Sequence, residues 1–358
     1  MNSPIRAKGL AEASSLLSEP YAAEDIGLAD CPLFVIELPV ANLDAEAHQT
    51  HVDHAELAKL IAAVPAVVVG VVADDIEGAA TASDLAQICE ACDIVLAPDH
   101  LGLAGSVPVS DITELAAAIA QSPLAATTLV QLLRLSKTLS TVDGLVAESL
   151  AYATLQSDSQ FRAWLAAQPS KPQPQNDAPP VLVKHQASTL HITLNRPERH
   201  NAFSASMRDN LLEVLRAAWV DPSLDGIVIG GSGSTFCSGG DLSEFGTTPN
   251  SGTAHQIRSV RSAAFWIDRL AAKTRVIMQG SCVGAGVELA AYAHDVVAHP
   301  DTTFCLPEVA MGLIPGAGGT VSIARRIGRQ RLGYMALTGT KLNTTTALSW
   351  GLIDRIER

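Results

Sequence analysis

The hydrophobic pattern changes period along the chain, and each change marks an expected element. VLVKHQASTLHITLNRP (181 to 197) alternates apolar and polar positions about a short break, the period-2 signature of a β-hairpin. LDGIVIGGSGSTF (224 to 236) reads as a buried strand ending in a glycine loop, and TRVIMQGSCVGAG (274 to 286) as another. Each strand runs into a segment of helical period: SASMRDNLLEVLRAAW (204 to 219), the stretch from Gln256 to Leu270, and VELAAYAHD (287 to 295). Repeated strand and helix units predict an α/β layered fold. Residues 111 to 167, rich in Ala, Leu and Gln, predict three or four helices broken at Ser122-Pro123 and Asp143-Gly144.

Between these regions lies QPSKPQPQNDAPP (168 to 180), whose prolines remove backbone donors and favour an extended connector. It predicts a linker between an N-terminal domain, 1 to 167, and a second domain, 181 to 358. A faint internal repeat runs across that boundary. Ala91 to Asp99 (ACDIVLAPD) resembles Ala293 to Asp301 (AHDVVAHPD), and AAVPAVVVG (62 to 70) resembles AAKTRVIMQG (271 to 280).

Composition narrows the function classes. The 358 residues are 47% hydrophobic, enough for a sizeable core in one large domain or two ordinary ones. The net charge of −13, with no Lys/Arg run, argues against nucleic acid or a polybasic membrane patch as partner. No apolar run reaches the roughly 20 residues of a membrane span. The six cysteines lack framework spacing and the N-terminus lacks a signal-peptide pattern, so a reducing cytoplasm is the expected compartment. Cys89 and Cys92 form a C-E-A-C pair without the further ligands a zinc site needs, and are expected to act as small hydrophobes.

Two glycine loops, FCSGGDL (236 to 242) and SCVGAGVEL (281 to 289), are placed where strands end. Backbone N–H groups at such ends can stabilise negative charge developing on oxygen, although either loop alone reads more readily as an ordinary turn. Gly284-Ala285-Gly286 is not a dinucleotide fingerprint, because Leu289 stands where the third glycine belongs. No Walker lysine, no G-x-S-x-G elbow and no metal-ligand spacing accompanies the loops. What remains is two carboxylates in apolar surroundings, Glu288 in GAGVELAAYA and Glu308 in FCLPEVAMGLIPGAGGT. Desolvation raises such groups toward the range useful for proton transfer beside a carbonyl.

In combination these motifs are specific. LNRPERHNAF (194 to 203), FCSGGDL, residues 280 to 320, and ALSWGLIDRI (347 to 356) occur in the order of the enoyl-CoA hydratase/isomerase, or crotonase, family, which residues 181 to 358 resemble. The resemblance implies a spiral of β-β-α units, assembled as a homo-oligomer, a trimer or a dimer of trimers. It implies an acyl-CoA thioester as partner, with coenzyme A part of the substrate and no separate cofactor or metal. The thioester oxygen would bind the amides of Gly240 and Ala285; Glu288 would activate the water that attacks C3, and Glu308 would exchange the proton at C2. Hydration of a trans-2-enoyl-CoA is the expected reaction, with isomerase, thioester hydrolase or a non-catalytic partner protein as alternatives.

For substrate binding the resemblance implies Arg199 or His200 near the CoA phosphates, the backbone of Ala202 and Ser238 near pantetheine and adenine, and also Asp241, Leu242, Gly284, Pro307 and Gly316. Phe245, Trp266, Val309 and Leu313 are apolar candidates for an acyl pocket. Two features depart from the family pattern. Ser234 and Ser243 stand where many relatives have lysines toward the nucleotide. Relatives also normally continue past the G-L-[IV] strand into helices that build the trimer contact and cover the site, and here it is residues 102 to 168 that resemble this segment. The expectation is a fused, partly degenerate duplication. The first copy keeps the helical tail and lacks the site; the second keeps the site and is covered by helices of residues 109 to 167, from the same chain or a neighbour.

Overall fold

The computed structural model describes residues 6–38, 52–72, 82–108, 112–169 and 178–357. In chain order it contains α1 (Leu10–Leu17), α2 (Ala22–Gly27), β1 (Leu33–Leu38), α3 (His54–Ala63), β2 (Val67–Val72), α4 (Ala82–Ala91), β3 (Ile94–Leu96), α5 (Ile112–Gln121) and α6 (Pro123–Ser136). There follow α7 (Thr141–Gln156), α8 (Ser159–Ala166), β4 (Val181–Gln186), β5 (Thr189–Leu194), α9 (Ala205–Val220), β6 (Gly226–Gly231), α10 (Ser251–Val260) and α11 (Ala263–Arg269). The chain closes with β7 (Thr274–Met278), β8 (Ser281–Val283), α12 (Ala285–Ala290), β9 (Asp295–Ala298), β10 (Thr303–Cys305), α13 (Gly319–Ile327), α14 (Arg329–Thr338), β11 (Leu342–Asn343), α15 (Thr344–Trp350) and β12 (Arg355–Ile356).

Packing divides the chain into two compact units. The first runs to Leu135 and includes Gly328–Thr338; the second comprises Ser136–Ile327 and Gly339–Arg358. The divide therefore falls ahead of the expected one. The proline-rich stretch lies largely outside the described residues, which omit 170–177, and α7 and α8 belong to the second unit because α7 packs on its α10, α11 and α13 and α8 on the turn at Val309–Met311. Four helices cover the predicted helical region, yet the predicted break at Asp143-Gly144 is absent. Ser140 accepts from the Asp143 amide and starts α7 there, and Gly144 sits inside the helix against Val321.

In the first unit β1, β2 and β3 form a parallel sheet in that order. Apart from the exposed Glu37 its strands are apolar on both faces, as a covered parallel sheet requires, and Phe34, Ile36, Leu57, Ile61, Val68 and Ile88 build the core. Cys92 is fully buried in that core and burial pushes its thiol up, so the C-E-A-C pair contributes packing there. One buried carboxylate, Asp93, pairs with Arg134 at 2.6 Å and Arg329 at 3.2 Å.

The second unit holds the crotonase-type spiral. A six-stranded sheet runs β12-β9-β7-β6-β5-β4, parallel except for the β4–β5 hairpin, and a small sheet runs β11-β10-β8. TRVIMQGSCVGAG is not one strand: at Gly280, with φ of 65°, the chain turns out of β7 into β8 of the other sheet. The result is successive β-β-α units, β7-β8-α12 and β9-β10-α13. The predicted helix from Gln256 to Leu270 is likewise two, because the Ser262 hydroxyl accepts from the Phe265 amide and begins α11. Among the described residues no single helix is long and apolar enough to cross a membrane.

Candidate active site

Both glycine loops meet at one cavity of the second unit, of about 340 Å³. They are joined through their backbones: the Val283 amide donates to the Cys237 carbonyl at 3.1 Å. Gly240 and Ala285 both line the cavity, and among the described residues neither amide donates to a protein acceptor. Ala285 opens α12, so its N–H also lies at the positive end of a short helix. Gly284 has φ of 48° and ψ of −120°, a conformation L-residues avoid, and it lets the Glu308 carboxylate come close.

Two acids face this loop. Glu288, one turn into α12 and only 2% exposed, accepts through Oε2 from the amides of Ala317 at 2.7 Å and Gly319 at 2.9 Å. Burial raises its pKa well above the ordinary range, the charges of Glu308 and Glu148 raise it further, and the two amides only partly offset this. Glu308 follows β10 and lines the same cavity, its Oε2 buried and, among the described residues, without a hydrogen-bond partner. Burial pushes it up to about 7, against its ordinary 4.5, with the Glu148 charge acting in the same direction. Two carboxyl groups whose proton affinity is raised by burial, beside two unengaged amides, can move protons at a carbon next to a polarised carbonyl.

Other expected residues sit differently. Asp241 lines the cavity but is committed to protein: Arg196 and Arg199 pair with it at 2.9 and 3.1 Å, and the Ser243 hydroxyl donates to it at 2.6 Å. Burial alone would raise its pKa, but Ser243 and the two arginines outweigh this and hold it below the usual carboxylate range. Arg199 and Asp241 thus fasten LNRPERHNAF to FCSGGDL, and Ser243 serves that same junction. Gly316 lines the cavity, whereas His200, Ala202, Ser238, Leu242 and Pro307 do not. His200 is exposed, and its carbonyl accepts from the Ser238 amide at 3.0 Å. Of the apolar candidates Phe245 lines the cavity. Trp266 instead packs edge-on against Trp219 and Phe265, and Val309 and Leu313 are buried in the core.

α7 lies within the helices expected to cover the site, but the side chains it brings to the wall were not among the candidates. Glu148, Ser149 and Tyr152 line the cavity together with Arg258 of α10. Arg258 donates to the Ser149 hydroxyl at 3.0 Å and lies over the Tyr152 ring at 4.7 Å. Glu148, 2% exposed, accepts from the amides of Gly318 and Thr320. A signal was present: AESLAYA around Glu148 sets one acid among small apolar residues just as VELAAYA does around Glu288.

A spiral of β-β-α units with two buried acids beside a glycine-loop amide pair defines an α/β fold built for acyl-group chemistry. The profile of the enoyl-CoA hydratase/isomerase family matches residues 184–357. The chain is 34% identical over 179 residues to 2,3-dehydroadipyl-CoA hydratase of Escherichia coli (strain K12), an alignment covering 49% of this chain and 68% of that protein. It is 32% identical over 176 residues to 3-hydroxyisobutyryl-CoA hydrolase 1 of Arabidopsis thaliana, covering 48% of this chain and 46% of the relative. Among solved structures an enoyl-CoA hydratase of Mycobacterium smegmatis aligns at 29% identity with a TM-score of 0.47, over 50% of this chain and 70% of that one. The chain belongs to the enoyl-CoA hydratase/isomerase family.

Proposed function

We propose that the second unit is an acyl-CoA lyase of the hydratase type, adding water reversibly to a trans-2-enoyl-CoA. The observation that carries this is the pairing of Glu288 and Glu308 at one cavity with the amides of Gly240 and Ala285. In this reading the thioester oxygen accepts from those two amides, which draws electron density from C3. Glu288, deprotonated, takes a proton from a water as its oxygen bonds to C3; the C2–C3 π electrons move onto the thioester oxygen as an enolate. Glu308, protonated, then delivers its proton to C2 and the carbonyl re-forms. The added H and OH come from one water in sum, with proton exchange between the acids and solvent restoring the starting state.

A second reading, double-bond isomerisation, is favoured by one detail. Glu288 Oε2 already accepts two amides while Glu308 Oε2 has no hydrogen-bond partner among the described residues, so Glu308 alone could remove a proton at one carbon and return it at another. Crotonyl-CoA followed at its enoyl absorbance, and a 3-enoyl-CoA followed for appearance of that absorbance, separate the two. Hydration that disappears in both Glu288→Gln and Glu308→Gln supports the lyase; isomerisation surviving Glu288→Gln supports the second reading. No turnover of either substrate by the unsubstituted protein would leave the non-catalytic alternative. An acyl-CoA partner and a homo-oligomeric state belong to the same proposal.

A further inference from the structure

Two carboxylates divide one four-residue stretch of backbone between them. Along Ala317-Gly318-Gly319-Thr320 the amides donate in alternation: Ala317 and Gly319 to Glu288 Oε2, Gly318 to Glu148 Oε1 at 2.7 Å, and Thr320 to Glu148 Oε2 at 3.0 Å. The Thr320 hydroxyl adds a third bond to Glu148 at 2.6 Å. Both oxygens of Glu148 are therefore occupied by donors, while Glu288 spends one oxygen on the same stretch. We infer that Glu148, carried on α7 ahead of the family-matched segment, is a positioning residue of the active site, fixing the backbone whose other amides hold the Glu288 carboxylate in place.

The inference rests on the proposed role of Glu288 as the water-activating base. Its physical content is preorganisation. Gly318 to Thr320 open α13, where four N–H groups lack intrahelical acceptors, and anchoring them from two sides immobilises the loop. α7 is itself locked to α10: Arg258 donates to Ser149 Oγ, the Ser149 carbonyl and Gln156, and His255 Nδ1 lies 2.9 Å from Ser149 Oγ. The ionisable groups facing Glu148 are Glu288 and Tyr292 from α12 and the turn after it, Glu308 from the segment after β10, Tyr152 on its own helix and Arg258 on α10. Burial pushes Glu148 itself up to about 7, and its ionised form raises the proton affinity of Glu288 and Glu308, so removing that charge lowers their affinity for a proton.

The test uses the full chain with Glu148→Gln and, separately, Thr320→Val. A glutamine places an N–H donor against Gly318 or Thr320, so one anchor becomes a repulsion while shape is kept. Expected are a fall in kcat for crotonyl-CoA of about tenfold or more with KM changed by less than about threefold, and a Glu288 carboxyl ¹³C titration moved to lower pH. Thr320→Val removes only the hydroxyl donor, is expected to fold, and should lower kcat by about two- to fivefold. A folded Glu148→Gln protein with unchanged kcat and an unmoved Glu288 titration overturns the inference. Should that variant not fold, unchanged kcat in Thr320→Val, with Glu148 titrating as in the parent, overturns it equally. If the parent turns over no enoyl-CoA, the lyase reading fails while the Glu288 titration in Glu148→Gln still decides the positioning role.

Discussion

Glu308 stands against Gly284: a β-carbon built on that glycine would run into the Glu308 carboxylate, and the same glycine has a positive φ of 48°. Gly284→Ala is thus strained twice, in its backbone and against the acid. It should cost about 2–4 kcal/mol of stability and abolish most turnover. Thermal unfolding together with crotonyl-CoA kinetics checks this. Near-parental activity would show that the Glu308 position is adaptable.

The raised pKa of Glu308 sets a pH window. The folded state holds its proton up to about 7, whereas a free glutamate loses it near 4.5. A raised folded-state pKa contributes stability that is fully present below the unfolded value and is lost as pH rises through the folded one. Glu308→Gln should therefore gain on the parent as pH rises from 5 to 8, by on the order of 2 kcal/mol, read as a difference in Tm that grows with pH. In the lyase reading the protonated form delivers hydrogen to C2, so hydration should decline as pH passes about 7, and Glu308→Gln should be slower at every pH by about 10²–10³-fold.

Asp241→Ala tests the junction between LNRPERHNAF and FCSGGDL. It strips the carboxylate from Arg196 and Arg199 at once, in a site where Asp241 is only 2% exposed. Because removing one member of a buried ion cluster strands the others, a loss of about 3–5 kcal/mol is expected. Activity at low temperature should fall further than folded fraction alone explains, since Gly240 precedes Asp241 directly. Calorimetry and kinetics on the same sample separate the two effects.

Much of this site was legible in the sequence because its parts are local. Glu288, Glu308, Gly240 and Ala285 each lie within or beside a glycine loop whose spacing is fixed by short strands, and all four line the cavity. The apolar setting of Glu148 was visible in AESLAYA, but its role was not legible, since its partner Gly318 is 170 positions away and only tertiary packing joins them. Helix limits failed for a local reason: Ser140 and Ser262 carry caps that outweigh the apolar periodicity running through them. The faint repeat falls on parallel strands in both units. β2 and β3 are parallel neighbours joined through α4, as β7 and β9 are joined through a segment containing α12, and the strand order β1-β2-β3 matches β6-β7-β9. The matching acids Asp93 and Asp295 each pair with two arginines, Arg134 and Arg329 in one case, Arg275 and Arg355 in the other. Registers differ by two residues, Val69 facing Ile94 where Val276 faces Val296 if Val67 and Val276 are matched, so the strand pairing itself does not carry the repeat.

If the chain is such a duplication, α7 and α8 do for the second unit what the helical tail does in the resemblance drawn from the sequence. They bring Glu148 to the Gly318 and Thr320 amides, and they stack Phe161 on Trp164 with Trp164 against Phe245, whose ring lines the cavity. A fragment of residues 181–358 lacks all of these contacts. It should be less stable than the full chain, because the apolar surface under α7 is exposed and the two amides are left without Glu148. It should also lose turnover by tenfold or more, on the order of the loss from a misplaced catalytic group. The measurement is kcat per folded molecule alongside size-exclusion mass. A fragment that is folded, oligomeric and fully active would overturn both the duplication and the role given to α7, whereas restoration of activity by adding back residues 136–180 as a separate peptide would establish that this segment completes the site.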